Sequence, residues 1–194
     1  MSIQTPFGVR IAGTGSAVPS RVLTNADLEK MIDTSDEWII KRTGIHKRHL
    51  LDESKGETTL EIERRAITGA LDAAGMQASD LDLLIVASLT SEMACPSNAC
   101  RLNEAIGAYP AGSFDLNAAC CGFVYSLNLA DSLIRSGRHR AIGIVGCDTL
   151  SRHIDYTERT VSILFGDAAG SAILVRDDEH PERGCIYQKI EADG

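Results

Sequence analysis

The sequence predicts an α/β protein, a parallel or mixed sheet with helices on both faces, and three observations carry that expectation. Leu81–Leu89 is a continuous apolar run of strand length. Thr58–Ala74 repeats Leu60, Ile67, Leu71 and Ala74 at helical spacing and stops at Gly75. Ser113–Ala119 and Cys121–Ser136 read as a strand feeding directly into a helix. Between Glu104 and Asp131 the only charged residue is Asp115. A strand–helix unit with so little charge is expected at the centre of the molecule. Apolar residues wrap more than one face of that helix, with Phe123, Leu127, Ala130 and Ile134 on one stripe and Val124, Leu129 and Leu133 off it.

The remaining elements follow in chain order. Val9–Gly13 reads as a first strand closed by the turn Gly13-Thr14-Gly15-Ser16, with Pro19 beyond it. Thr24 or Asn25 caps a short helix through Met31, and Ser35-Asp36 begins another that carries Trp38, Ile39 and Ile40. Pro96-Ser97 opens a helix ending near Gly107. Arg140–Cys147 is a strand, and Ala168–Val175 and Cys185–Ile190 are closing strands separated by the polar turn Arg176–Gly184. From Thr160 to Val175 the only charge is Asp167. No linker or internal repeat interrupts the pattern.

Composition narrows the function classes. Of 194 residues, 44 % are hydrophobic and 24 % charged, as in globular domains rather than disordered chains. The net charge of -8 counts against general nucleic-acid binding. No uncharged stretch is long enough to span a bilayer, and Met1–Pro6 has no basic segment leading into an apolar one, so a cytoplasmic protein is expected. The six cysteines are then expected to be free thiols, and no second pair accompanies Cys95 and Cys100 to complete a zinc site, so no metal is expected. Basic residues cluster at Lys41, Arg42, Lys47 and Arg48, and at Arg135, Arg138 and Arg140. Both clusters read as solvated faces, the first also as a patch that steers anions beside Trp38.

Cys120 is the strongest chemical candidate. It lies where the buried strand turns into the helix, so its sulfur faces free N–H groups and the positive end of a helix dipole, which favour thiolate. Ala118, Ala119 and Gly122 leave room for a substrate, and the Cys120 N–H is a ready oxyanion donor. On position alone, a small residue filling a tight turn fits equally.

Four ordered blocks extend the reading: Gly13-Thr14-Gly15-Ser16 with Pro19; Asp33-Thr34-Ser35-Asp36-Glu37-Trp38-Ile39 with Arg42-Thr43-Gly44-Ile45; Ala118-Ala119-Cys120 with Gly122-Phe123; and Phe165-Gly166-Asp167 with Ala169-Gly170. In these the chain resembles the N-terminal half of the β-ketoacyl-acyl carrier protein synthase III family of thiolase-fold condensing enzymes, over nearly all 194 residues. The resemblance implies half of a thiolase-like layered fold: a mixed, mostly parallel five-stranded sheet, helices on both faces and a buried central helix. It makes residues 1–194 an N-terminal half whose C-terminal half is absent. It implies Cys120 as nucleophile, Trp38 and Arg159 stacking on the adenine of coenzyme A, and Thr34 and Arg42 holding the nucleotide end. Leu164 and Phe165 would line the acyl tunnel. Cys95 would reach across a homodimer interface to floor the partner's acyl pocket. Where the family has Gly after the stacking Arg, this chain has Thr160.

The implied reaction moves an acyl group from acyl-coenzyme A to Cys120, then condenses it with decarboxylating malonyl-acyl carrier protein, initiating fatty acid synthesis without a separate cofactor. The His and Asn that stabilise the enolate belong to the second half, and none of His46, His49, His139, His153 or His180 matches that His. Three other readings stand beside it. One is a thiolase-fold acyltransferase that passes the acyl group to a hydroxyl or amine. Another is a folded but inactive fragment. The third, a nicotinamide-binding domain, is disfavoured because Val18 occupies the third glycine position and Pro19 follows.

Overall fold

A computed structural model describes residues 7–191. Its centre is a five-stranded sheet formed by β1 (Gly8–Ala17), β4 (Leu83–Ala87), β5 (Gly112–Leu116), β6 (Ala141–Thr149) and β7 (Asp167–Asp177), in the order β1-β7-β6-β4-β5. A separate hairpin pairs β2 (Arg21–Thr24) with β3 (Lys47–Leu50). The helices are α1 (Asn25–Leu28), α2 (Asp36–Thr43), α3 (Thr59–Ala74), α4 (Asn98–Ile106), α5 (Gly122–Arg135) and the single turn α6 (Arg159–Ser162).

Local chemistry sets the helix ends. Thr24, Ser35, Thr58 and Ser97 each accept a backbone N–H at an N-terminus, and Thr24 completes a reciprocal capping box with Asp27. Gly44, Gly75 and Gly107 close α2, α3 and α4 in the left-handed conformation. In the sheet, alternation sorts the core into two layers. Leu84 and Val86 of β4, with Val145 and Cys147 of β6, meet Ile62, Ala66, Ile67 and Ala70 of α3. Leu83, Ile85, Ile142 and Ile144 meet Ala130 and Ile134 of α5 on the opposite face.

The five strands and the helices on both faces are as expected; four details differ. Only two of the four pairings are parallel, β6 with β4 and β4 with β5. The other two, β1 with β7 and β7 with β6, are antiparallel. The chain leaves β6 at Thr149 and re-enters at Asp167, which pair with each other, so the connection returns at one end of the sheet instead of crossing over. Gly13–Ser16 is no turn but the middle of β1, where Gly13 and Gly15 lie against the α3 backbone. Cys185–Ile190 forms no strand. β1 already pairs with β7, and the segment lies along α5, with the Cys185 N–H and the Gln188 amide donating to Asp131 at 3.1 and 2.6 Å. Finally, α5 is not enclosed. Val124 is 62 % exposed and Leu127, Leu129 and Leu133 are half-buried, because the sheet covers only its inner side.

Candidate active site

The turn between β5 and α5 builds the Cys120 site. Asn117 Oδ1 accepts the Ala119 N–H at 3.3 Å. Ala119 then takes φ 46°, the only positive φ at a non-glycine among the described residues, and residues 119–121 form one 3-10 turn before the helix begins. A left-handed alanine is strained by roughly 1 kcal/mol, so the surrounding contacts must hold it. Gly122 supplies part of that hold: a Cβ there would stand 2.9 Å from Ala87 Cβ, so the start of α5 is pressed onto the end of β4.

This turn presents an exposed Cys120 to an open cleft of about 410 Å³, whose lining includes Ala87, Phe123, Gly146, Gly166, Ala168 and Gly170. Small residues keep it wide. A side chain at Gly146 would meet Phe123 at 3.1 Å. Asp148 also borders the cleft, but its Oδ1 accepts the Leu89 N–H at 2.9 Å and the Thr90 hydroxyl at 3.2 Å, which makes it a brace for the segment after β4. Cys147 is the contrasting thiol on the same wall. It is buried, and burial together with nearby Glu63 pushes its thiol far above the ordinary value, so it stays protonated. Of the two thiols at the cleft, only Cys120 is accessible.

A second locus forms around Trp38. The Ser35 cap fixes the first turn of α2 by accepting the Trp38 N–H at 3.1 Å, and Arg42 follows one turn later. The Arg42 guanidinium lies 4.6 Å from the indole centroid, and that of Arg159, the first residue of α6, lies 4.7 Å from it. Arg159 also donates to the Asp33 carbonyl at 3.2 Å, at the edge of a cleft of about 370 Å³ lined by Met31, Ile32, Asp33, Thr157 and Arg159. Beside it, the Thr34 hydroxyl is buried without a hydrogen-bond partner among the described residues. The chain therefore brings Trp38, Arg42 and Arg159 together across more than a hundred residues, with Thr34 adjoining. From α6 it continues within seven residues of Arg159 to Gly166, on the wall of the Cys120 cleft.

The residues expected at the acyl pocket lie outside the Cys120 cleft of this chain. Leu164 and Phe165, 44 % and 36 % exposed, lie on the link between α6 and β7 and do not line the Cys120 cleft. Cys95, expected at the partner's pocket and not at this one, is exposed on the loop before α4. Within the first basic cluster, Arg48 is no surface charge: it is 3 % exposed and donates only to carbonyl oxygens. Arg48, Asp148 and the buried Glu63 carry polar roles that sequence reading missed. The available signals were faint: a charge ending the strand at Cys147-Asp148, and Glu63 one residue from the apolar Ile62 on α3. Among the described residues no cluster of three or more His, Cys, Asp or Glu side chains is arranged to hold a metal ion, and no helix is long and apolar enough to cross a membrane.

Comparison with known proteins agrees with this geometry. Residues 114–194 match the family described as 3-oxoacyl-[acyl-carrier-protein (ACP)] synthase III. The β-ketoacyl-[acyl-carrier-protein] synthase III of Xylella fastidiosa is 46 % identical over 185 residues, 95 % of this chain and 56 % of the relative. The same enzyme of Xanthomonas euvesicatoria is 45 % identical, with 95 % and 55 % covered. Among solved structures, the 3-oxoacyl-[acyl-carrier-protein] synthase III of Aquifex aeolicus superposes with a TM-score of 0.85 at 42 % identity, covering 89 % of this chain and 55 % of that one. The priming β-ketosynthase of the R1128 polyketide pathway also reaches 0.85, at 33 % identity, covering 92 % and 53 %. The chain thus spans about half the length of the relatives it matches. Over the length it spans, the chain matches the β-ketoacyl-[acyl-carrier-protein] synthase III family in sequence and fold.

Proposed function

We propose that residues 1–194 form the nucleophile-bearing and coenzyme A-binding half of a cytoplasmic, homodimeric β-ketoacyl-acyl carrier protein synthase III that initiates fatty acid synthesis. The Cys120 sulfur attacks the carbonyl of an acyl-coenzyme A, its own N–H donating to the developing oxyanion. The carbon–sulfur bond to coenzyme A breaks, the coenzyme A thiolate leaves and takes up a proton, and an acyl-enzyme thioester remains. Malonyl-acyl carrier protein then loses carbon dioxide, and the resulting enolate attacks the thioester carbonyl and expels the Cys120 thiolate. The donors for that enolate, a His and an Asn, come from the part of the family's length beyond this chain.

The observation that supports this reading most is the accessible Cys120 on a strained turn at the head of α5, bordering an open cleft beside an inert Cys147. Trp38, with the Arg42 and Arg159 guanidinium groups 4.6 and 4.7 Å from its centroid, supports the reading of a purine receptor in which Arg159 moves outward to admit the ring, and Thr34 offers a buried hydroxyl next to it.

Full-length protein incubated with an acyl-coenzyme A should gain one acyl mass, located on Cys120 by peptide mapping. Cys120→Ala should gain none, whereas Cys121→Ala should be acylated as before. An adduct that persists in Cys120→Ala overturns the assignment. The Cys95 loop is assigned to the acyl pocket of the partner copy, where a small residue leaves a deep pocket. In mixtures of acetyl- and longer acyl-coenzyme A, longer chains should therefore acylate Cys120. Labelling by acetyl alone would refute the pocket argument.

A further inference from the structure

Between the two arms of the Trp38 site lies a buried polar relay. Arg48, on β3, points inward; its Nε donates to the Ile163 carbonyl at 3.0 Å and its Nη2 grips the same oxygen. Ile163 is the residue that closes α6, the turn opened by Arg159. The other arm of the guanidinium, Nη1, donates to Asn25 Oδ1 at 2.6 Å. Asn25 is 1 % exposed, and its amide nitrogen donates to Asp36 Oδ1 at 2.7 Å and to the Ile45 carbonyl at 2.9 Å. Asp36 is the first residue of α2, the helix that carries Trp38 and Arg42, and Ile45 follows its Gly44 cap. One chain of hydrogen bonds thus joins α2 to α6 through Asn25 and Arg48.

We propose that Arg48 and Asn25 are positioning residues that set where the Arg159 guanidinium stands relative to the Trp38 indole, and through it the affinity for the nucleotide end of coenzyme A. The proposal rests on the nucleotide reading of that site. A buried cation held by carbonyls, with Asp36 only at one remove, is a poor way to gain stability compared with an apolar side chain of the same volume. What it does supply is direction: a planar fork with donors at fixed angles reaches Ile163 and Asn25 together, as the single ammonium of a lysine does not. The apolar packing around it, Leu28, Ile39, Leu50 and Ile163 with Trp38 on its margin, leaves the relay as the polar tie between the two helices.

Two variants of the full-length protein, Arg48→Lys and Asn25→Ala, test this through the rate of Cys120 acylation by acetyl-coenzyme A and by acetyl-pantetheine, which lacks the nucleotide. The half-saturating concentration of acetyl-coenzyme A should rise about tenfold, the scale of one lost charge-assisted hydrogen bond, with the saturating rate unchanged. Acylation by acetyl-pantetheine should not change. Unaltered half-saturation with acetyl-coenzyme A in both variants overturns the proposal, and so does an equal fall with both thioesters, which marks general damage to the fold. If the unmodified protein uses both thioesters equally well, the nucleotide reading itself fails and the inference falls with it.

Discussion

Gly15→Ala is expected to leave little native protein. A Cβ at this position would stand 2.2 Å from the Ala66 carbonyl oxygen and 2.5 Å from the Ala70 nitrogen, both backbone atoms of α3. Gly13 is placed alike, 2.3 Å from the Ala70 oxygen and 2.5 Å from the Ala74 nitrogen. Two glycines one strand repeat apart thus let β1 lie directly on the helix, backbone against backbone. No side chain can swing aside, so either β1 leaves its pairing with β7 or α3 leaves the sheet. Overpacking that side chains can absorb costs about 1–3 kcal/mol; here the backbone itself must move, against a total stability of about 5–15 kcal/mol. Gly170→Ala is the matched control. Gly170 lies on β7 in register with Ser16, and nothing stands within 4 Å of its added Cβ. Urea midpoints should collapse for Gly15→Ala and hold for Gly170→Ala; equal midpoints would mean that the contact between β1 and α3 is looser than described.

That contact also shows where sequence reading stops. Gly-Thr-Gly-Ser reads locally as a turn, and only the helix packed above it, some fifty residues away in the chain, reveals why the glycines sit inside a strand. Helix limits were legible because they are local: a hydroxyl that caps, an apolar stripe, a left-handed glycine. The buried central strands were legible too, since Leu83–Ala87 buries all five residues, whereas the strand expected at 185–190 does not form. Strand direction was not, because it depends on which end of the sheet each connection returns to. Nor was the hairpin of β2 and β3, two four-residue strands rich in polar residues.

The candidate site divides the same way. Cys120 stands out within a single strand–turn–helix unit, whereas no spacing rule joins Trp38 to Arg159, and family resemblance alone paired them. Arg48 sits in a polar run that looks like surface until its neighbours fold over it. The openness of α5 has another origin: its outer side carries apolar residues, Val124 above all, that the described residues cover only in part.

Glu63→Gln should flatten the dependence of stability on pH between about 4.5 and 8. Glu63 is fully buried on α3, where its Oε1 accepts the Asn98 amide at 2.9 Å and its Oε2 has no partner among the described residues. Burial pushes its carboxyl up to about 8. The Asn98 hydrogen bond opposes that shift, the negative charges of Glu92 and Asp115 reinforce it, and Arg101 offsets it in part. Below about 4.5 the folded and unfolded chains both hold the proton, and stability is greatest. Above that the unfolded chain releases it while the folded chain retains it, so stability falls by roughly 1.4 kcal/mol per pH unit until the folded group also ionises near 8. Gln keeps an oxygen for Asn98 and cannot ionise, so the variant loses this slope, and at pH 8 it should exceed the parent by a few kcal/mol relative to their difference at pH 4.5. Carboxylates held low by hydrogen bonds away from Glu63, Asp52 and Asp155 among them, titrate identically in both proteins and cancel from the comparison. Asn98 begins α4, whose first N–H groups are held by Asp115, and the loop bearing Cys95 leads into it. An ionised Glu63 loosens α4 from α3 at that point, so hydrogen exchange at Asn98–Leu102 should quicken above pH 8 in the parent beyond the intrinsic rise, and not in Glu63→Gln. Parallel slopes of urea midpoint against pH for the two proteins would show that Glu63 carries no proton in the folded chain at neutral pH.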